Sequence, residues 1–277
     1  MSVDLQRYFK RINYRGPTAP TLDTLQQLHQ AHTQAIAFEN FDVLLGRRIN
    51  IDDDTVFEKL VVAGRGGWCF EQNGLFRRVL AELGFKVTNL SARVLLSNPV
   101  ALPALTHRLT LVGVNNESWI ADVGFGGKTL PGPMRLTEDN VQDTSYGRYS
   151  LECKDGAWSL KYHDPEKVIT LYRFTLDEQH YSDYEMGNHY VATWPESHFR
   201  HCLTLSLYQP GGRRNTLYSA TENMPEFASV ESLYKTIQQN FNLGFDHPQH
   251  GITLGEFSRM LQSLNLYPDS KSPAAEG

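Results

Sequence analysis

The apolar residues of this 277-residue chain change their repeat near residue 87, and that change limits the possible folds more than any other feature. Before it the spacing is helical. Thr21-Leu22-Asp23-Thr24 offers capping oxygens, and Leu25, Leu28, His29 and His32 follow on one helical face. Asp52-Asp53-Asp54 precede Val56, Leu60 and Val61, which predicts a second helix whose acidic first turn complements its dipole. Phe76, Val79, Leu80 and Leu83 recur at i, i+3, i+4 and i+7 and predict a third. Beyond Val87 the period is two, and segments 87–96, 107–114, 117–125, 148–153 and 157–162 read as strands. Lys154-Asp155-Gly156 marks a hairpin turn. Past Trp194-Pro195 the pattern mixes: Leu203, Leu205 and Leu207 form a strand ending at a Pro-Gly-Gly turn, and Val230–Phe241 and Leu254–Leu264 carry helical spacing. The tail SKSPAAEG is expected to be disordered. The breaks divide the chain into residues 1–86, 87–192 and 193–277.

Within the helical part, Arg65 to Phe85 places one cysteine where a glycine turn joins a helix. A thiol in the first turn of a helix faces free backbone N–H groups and the positive end of the dipole, and both favour the thiolate that attacks electrophiles. Gly66 and Gly67 lack Cβ and allow a sharp turn and close approach. Taken alone, a cysteine is more often a small buried hydrophobe. This setting favours a nucleophile.

Such a nucleophile needs a base and a group that orients the base. HRLTLVGV and ESWIADVGF flank Asn115-Asn116, a two-residue hairpin loop. In that register Val114 opposes Glu117, so His107 and Asp122 become diagonal neighbours on one face, roughly 7–8 Å apart at Cα. A slip of one residue would part them. Cys69 as nucleophile, His107 as base or imidazolium and Asp122 as its orienting carboxylate form a triad.

RGGWCFEQN around Cys69, THRL around His107 and WIADVGFGG around Asp122 resemble the arylamine N-acetyltransferases, and AFENFDVLL (residues 37–45) fits as well. The bacterial branch, which includes N-hydroxyarylamine O-acetyltransferases, is the nearest match, and the likeness runs from about Tyr8 to about residue 265. It implies an α+β fold with a helical bundle carrying the nucleophile, a β-barrel-like domain carrying His and Asp, and a C-terminal α/β lid, around a cysteine-protease-like Cys-His-Asp core. It implies acetyl-CoA as co-substrate, with no metal and no tightly bound cofactor. The cycle would be ping-pong, through an acetyl-cysteine that passes its acetyl group to the nitrogen of arylamines or hydrazines or the oxygen of N-hydroxyarylamines. By the same carry-over Phe38, Val94 and Phe125 line the acceptor pocket, where aromatic walls suit a flat ring. Each of the three, taken singly, also reads as core packing. Trp68 stands where family members vary, so it tunes the pocket rather than breaking the pattern.

Other signals are weaker. GFGGKT (Gly124 to Thr129) invites a phosphate-loop reading, but a Walker A motif needs a glycine where Asp122 stands. Gly126 and Gly127 can still present N–H groups to the CoA pyrophosphate. His198, His201 and Cys202 lack the second ligand pair of a zinc site. His29 and His32 read as surface or packing residues.

Composition excludes further classes. A net charge of −5 and short basic runs do not suit a nucleic-acid partner. Three widely spaced cysteines imply no disulfide framework. No apolar run spans a membrane and the first residues lack an apolar signal core, so a cytoplasmic location is expected. A homodimer stays open. So do three other functions on the same residues: a transglutaminase- or papain-like thiol hydrolase, an amide synthase of a biosynthetic pathway, and a binding module with a vestigial triad.

Overall fold

The computed structural model describes residues 2–138, 140–219 and 227–266. Helix α1 (Leu5–Arg11) starts at Asp4, whose carboxylate accepts the Arg7 N–H. Helix α2 (Leu22–Ala35) starts at the expected cap, the Thr21 hydroxyl accepting from Thr24. A short strand β1 (Phe38–Glu39) and a single turn α3 (Phe41–Leu44) follow. Helix α4 (Asp53–Phe57), capped by Asp52, runs on into a π turn, Glu58–Val62. Helix α5 (Cys69–Glu82) is the third helix that the spacing predicts. Leu25, Leu28, Leu60, Phe76, Val79 and Leu80 from these helices share one core with Val112 and Ala121 from the strands that come next and with Val123 just beyond them.

Those strands are β2 (Lys86–Val94), β3 (His107–Val114), β4 (Glu117–Ala121), β5 (Met134–Arg135), β6 (Val141–Thr144), β7 (Gly147–Lys154), β8 (Ala157–His163) and β9 (Val168–Phe174). They form one eight-stranded sheet in the order β5-β4-β3-β2-β9-β8-β7-β6. Every strand except β6 sends a side chain into a single interior cluster around Leu90, Leu109, Tyr149, Leu160 and Tyr172. The sheet therefore curls round its own core into a nearly closed barrel. Val114 faces Glu117 across Asn115 and Asn116, whose positive φ angles of 51° and 62° are those of the mirror-image turn matching strand twist.

The strand expected over 117–125 ends at Ala121. Beyond it the backbone leaves the ladder because its N–H groups find side-chain acceptors. Asp122 N–H donates to His29 Nε2, Val123 N–H to Asn73 Oδ1, and Gly124 N–H to Asp122 Oδ1. Strand β9, absent from the sequence reading, is central in the sheet and pairs with both β2 and β8.

Helix α6 (Tyr181–Thr193), also unpredicted, packs Tyr184, Gly187, Asn188 and Val191 inward. Strands β10 (Thr204–Gln209) and β11 (Arg213–Tyr218) then join β1 in a three-stranded sheet. Helices α7 (Val230–Phe241) and α8 (Leu254–Ser263) cover it, with Leu205, Leu233, Ile237 and Phe257 in their shared core. The tail expected to be disordered, 270–277, lies outside the described residues.

Candidate active site

Cys69 is the first residue of α5, and the chain before it has no room to spare. A Cβ on Gly66 would sit 2.4 Å from the Ala37 carbonyl oxygen, and one on Gly67 would sit 2.7 Å from Glu71 Oε2. Backbone bonds tie Gly67 to β1 in both directions, Gly67 N–H to Ala37 O and Glu39 N–H to Gly67 O. Glu71 Oε2 accepts the Trp68 N–H and so closes the first turn of the helix. Cys69 keeps a small opening to solvent, 8% of its surface, and its thiol donates to the Thr106 carbonyl at 3.7 Å.

Behind this turn lies a buried ionic network. Lys59 Nζ is 2.6 Å from Asp42 and 2.7 Å from Glu71, and the wholly buried Arg65 is 2.7 Å from Glu39. Burial raises the Glu71 pKa against the pull of Lys59. Burial opposes ionisation of Asp42, yet Lys59 and Arg65 bring its pKa below the usual carboxylate range. Removing one member of such a set leaves an uncompensated buried charge, at a cost of about 3–5 kcal/mol.

The β3–β4 register brings His107 and Asp122 into contact, Nε2 to Oδ2 at 2.8 Å. Both are buried, at 2% and 0% exposure. Asp122 Oδ1 also accepts from Asn73 Nδ2 at 2.9 Å and from Gly124 N–H at 3.1 Å. Burial works against an imidazolium at His107. The Asp122 charge and hydrogen bond, with a smaller contribution from the Cys69 sulfur, outweigh it and raise the pKa from 6.5 to about 10. For Asp122 burial likewise opposes the charge, but His107 and the hydrogen-bond donors bring its pKa below the ordinary value. At neutral pH the pair is a carboxylate and an imidazolium, with Nδ1 the ring nitrogen not committed to Asp122.

A family model described as N-acetyltransferase matches residues 21–250. An arylamine N-acetyltransferase of Escherichia coli is 47% identical over 282 residues, covering 98% of this chain and 99% of that one. The chain belongs to the arylamine N-acetyltransferase family. An arylamine N-acetyltransferase / N-hydroxyarylamine O-acetyltransferase of Salmonella typhimurium is 43% identical, with the same coverage. Among solved structures, the Mycobacterium marinum arylamine N-acetyltransferase in complex with CoA superposes with a TM-score of 0.86 at 32% identity, covering 94% of this chain and 99% of that one.

The other residues that the arylamine N-acetyltransferase resemblance singles out fall at different places around the sulfur. Phe38 bridges to Gly67 beside Cys69, and Phe125 meets the His107 ring edge-on at 5.0 Å. Val94 ends β2, half-buried and paired with Tyr172 of β9. Gly126 has φ +96° and lies against the Phe38 ring; Gly127 faces open space.

Several site residues escaped the sequence reading. Asn73 spans Asp122 Oδ1, the Arg108 carbonyl and the Val123 N–H; its signal was its spacing, one helical turn after Cys69. Tyr172 holds its ring tilted against that of His107, centroids 5.0 Å apart. Phe199 lies 5.8 Å from both Phe38 and Trp68. His29 and His32 pack on Phe76 as expected, but wholly inside, where burial brings their pKa values to about 4 and about 3. Both are neutral at pH 7, which leaves His29 Nε2 able to accept the Asp122 N–H at 3.2 Å. Among the described residues no cluster of three or more His, Cys, Asp or Glu side chains is placed to hold a metal ion.

Proposed function

We propose that the chain moves an acetyl group from acetyl-CoA, through an acetyl-cysteine at Cys69, to the nitrogen of arylamines or hydrazines. The observation that carries the reading is the buried 2.8 Å contact between His107 and Asp122 beside a cysteine at the start of a helix. The Cys69 thiolate attacks the thioester carbonyl, and backbone N–H groups of the first turn of α5 receive the developing oxyanion. Collapse breaks the bond from carbonyl carbon to the CoA sulfur, and the leaving thiolate takes the imidazolium proton from His107. The acceptor amine then attacks the acetyl-cysteine while His107 takes its proton, and Cys69 leaves as thiolate. The cycle ends on the imidazolium–thiolate pair from which it began. CoA in the Mycobacterium marinum structure supports the donor, and aromatic Phe38 and Phe125 support a flat acceptor. The name of the Salmonella relative supports oxygen acceptors, N-hydroxyarylamines, at the same site.

Incubation with acetyl-CoA alone is expected to add one acetyl group to Cys69 by peptide mass spectrometry. An arylamine should discharge it, and Cys69→Ala should abolish it. Acetylation at another residue, or CoA release to water at the same rate with and without the amine, would overturn the reading in favour of a hydrolase.

A further inference from the structure

The turn that follows the catalytic strand end carries a cation in no salt bridge among the described residues. Lys128 lies four residues past Gly124, whose absent Cβ would touch the Cys69 Cα at 3.0 Å. Four residues span at most about 14 Å, so the Lys128 Cα lies within about 19 Å of the Cys69 Cα. Its ammonium sits 3.9 Å from the centre of the Tyr162 ring. A second cation approaches from the other sheet. Arg214 on β11 stands opposite Tyr208 on β10, and its guanidinium is 5.4 Å from the Tyr208 ring centre.

The tyrosines lock the two sheets together at this point. Tyr208 and Tyr149 hydroxyls both donate to the carbonyl of Thr129, the residue after Lys128. Tyr149 lies 5.3 Å from Tyr162, and Tyr146 stacks on Tyr208 at 4.2 Å. Among the described residues neither Lys128 nor Arg214 enters an ion pair, although Asp164 lies near enough to favour the lysine charge. A cation resting on an aromatic face gains no full hydrogen bond from the ring, so it retains N–H donors for another acceptor. Beside them only Gly127 faces open space; Gly126 is buried against Phe38 and its N–H donates to the Thr129 hydroxyl.

We propose that Lys128 and Arg214, reached across the Gly126-Gly127 turn, form the anion subsite that holds the phosphates of the acyl donor. The inference rests on the acetyl-CoA reading above and assigns the residues that read the nucleotide end. Two like charges in no salt bridge among the described residues are satisfied by a polyanion. The pantetheine arm bridges from this subsite to Cys69, past Phe38. Lys128 is further destabilised in its charged form by burial and by Arg214, and a bound phosphate relieves that.

The test compares acetyl-CoA with S-acetylpantetheine, which carries the same thioester and no phosphate, using Lys128→Gln, Arg214→Gln and the double variant. Both side chains are half-exposed, so folding is expected to survive, and thermal melting checks it. Each single variant should raise KM for acetyl-CoA about tenfold, the equivalent of one charge-assisted hydrogen bond of roughly 1.4 kcal/mol, with kcat nearly constant. With S-acetylpantetheine the loss should be under about twofold, and Lys128→Arg should recover acetyl-CoA binding. An unchanged KM for acetyl-CoA in the double variant would overturn the subsite, as would equal losses with both donors. If the unaltered protein takes acetyl from neither donor, the acetyl-transfer reading itself fails and takes the subsite with it.

Discussion

Two cysteine–histidine pairs stand among the described residues, and close contact is not what suits one of them to chemistry. Cys202 Sγ lies 2.8 Å from His198 Nε2, whereas Cys69 finds the Thr106 carbonyl at 3.7 Å and His107 turns its Nε2 to Asp122. At the second pair burial pushes the Cys202 thiol pKa up, and burial with neighbouring His201 pushes His198 down. The other nitrogen of His198 meets a tyrosine hydroxyl, Tyr218 at 3.2 Å, where His107 meets a carboxylate. Cys202 also begins no helix; it sits between a 3₁₀ turn and β10. Proximity of sulfur and imidazole therefore does not make an ion pair. In the proposed mechanism, a buried carboxylate behind the ring and a helix start beneath the sulfur decide whether the proton moves.

The sharpest way to break that contrast is Asp122→Asn, which makes the first pair resemble the second. With the carboxylate gone, burial dominates at His107 and its pKa falls. Acetyl transfer should drop about 10⁴-fold, the order seen when a triad loses its orienting carboxylate. Stability checks the same cause. His107 has a folded-state pKa of about 10 against an ordinary 6.5, so its contribution is complete below about pH 6.5 and disappears as pH rises through 10. The stability gap between the unaltered protein and Asp122→Asn, measured by denaturant titration, should accordingly be widest near pH 6 and narrow toward pH 10. Full activity in the variant would remove Asp122 from the scheme.

Alkylation compares the two sulfurs directly. A thiol with a pKa above its ordinary 9.0, as at Cys202, is thiolate in less than about one molecule in a thousand at pH 6. Cys69, paired with an imidazolium, should therefore react with iodoacetamide at least about 100-fold faster at that pH, read by peptide mapping. Equal rates would mean that Cys69 is an ordinary thiol.

Much of this difference was legible before any coordinates. The start of α5 at Cys69 followed from glycines and a helical stripe. The meeting of His107 with Asp122 followed from a two-residue turn and a period of two, both local rules. What escaped depends on contacts far apart in sequence. His29 reaches the Asp122 N–H only once α2 packs on α5 and the chain peels away from β3. Strand β9 sits between β2 and β8, and its place beside β2 is set by partners about 80 residues away. The ionic network under Cys69 draws Glu39, Asp42, Lys59, Arg65 and Glu71 from separate segments, and no local spacing pairs them. Cys202 and His198, close in sequence, were legible as neighbours, but no local signal showed that a tyrosine, not a carboxylate, would back the ring.

The smallest expected effect is the most exposed to contradiction. Cys202→Ala removes a side chain that is 2% exposed, so it should lower stability by about 1 kcal/mol by thermal melting. Its route to the active site is indirect: His198 contacts Phe199, which packs on Phe38 and Trp68. A neutral thiol at the end of that chain supplies packing and no charge, so kcat should change less than about twofold and its pH profile should not move. If the variant instead shifted the pH profile of acetyl transfer, Cys202 would be acting through charge on the acceptor wall. The two pairs would then be coupled, and the carboxylate behind His107 would no longer suffice to explain why one sulfur is reactive and the other is not.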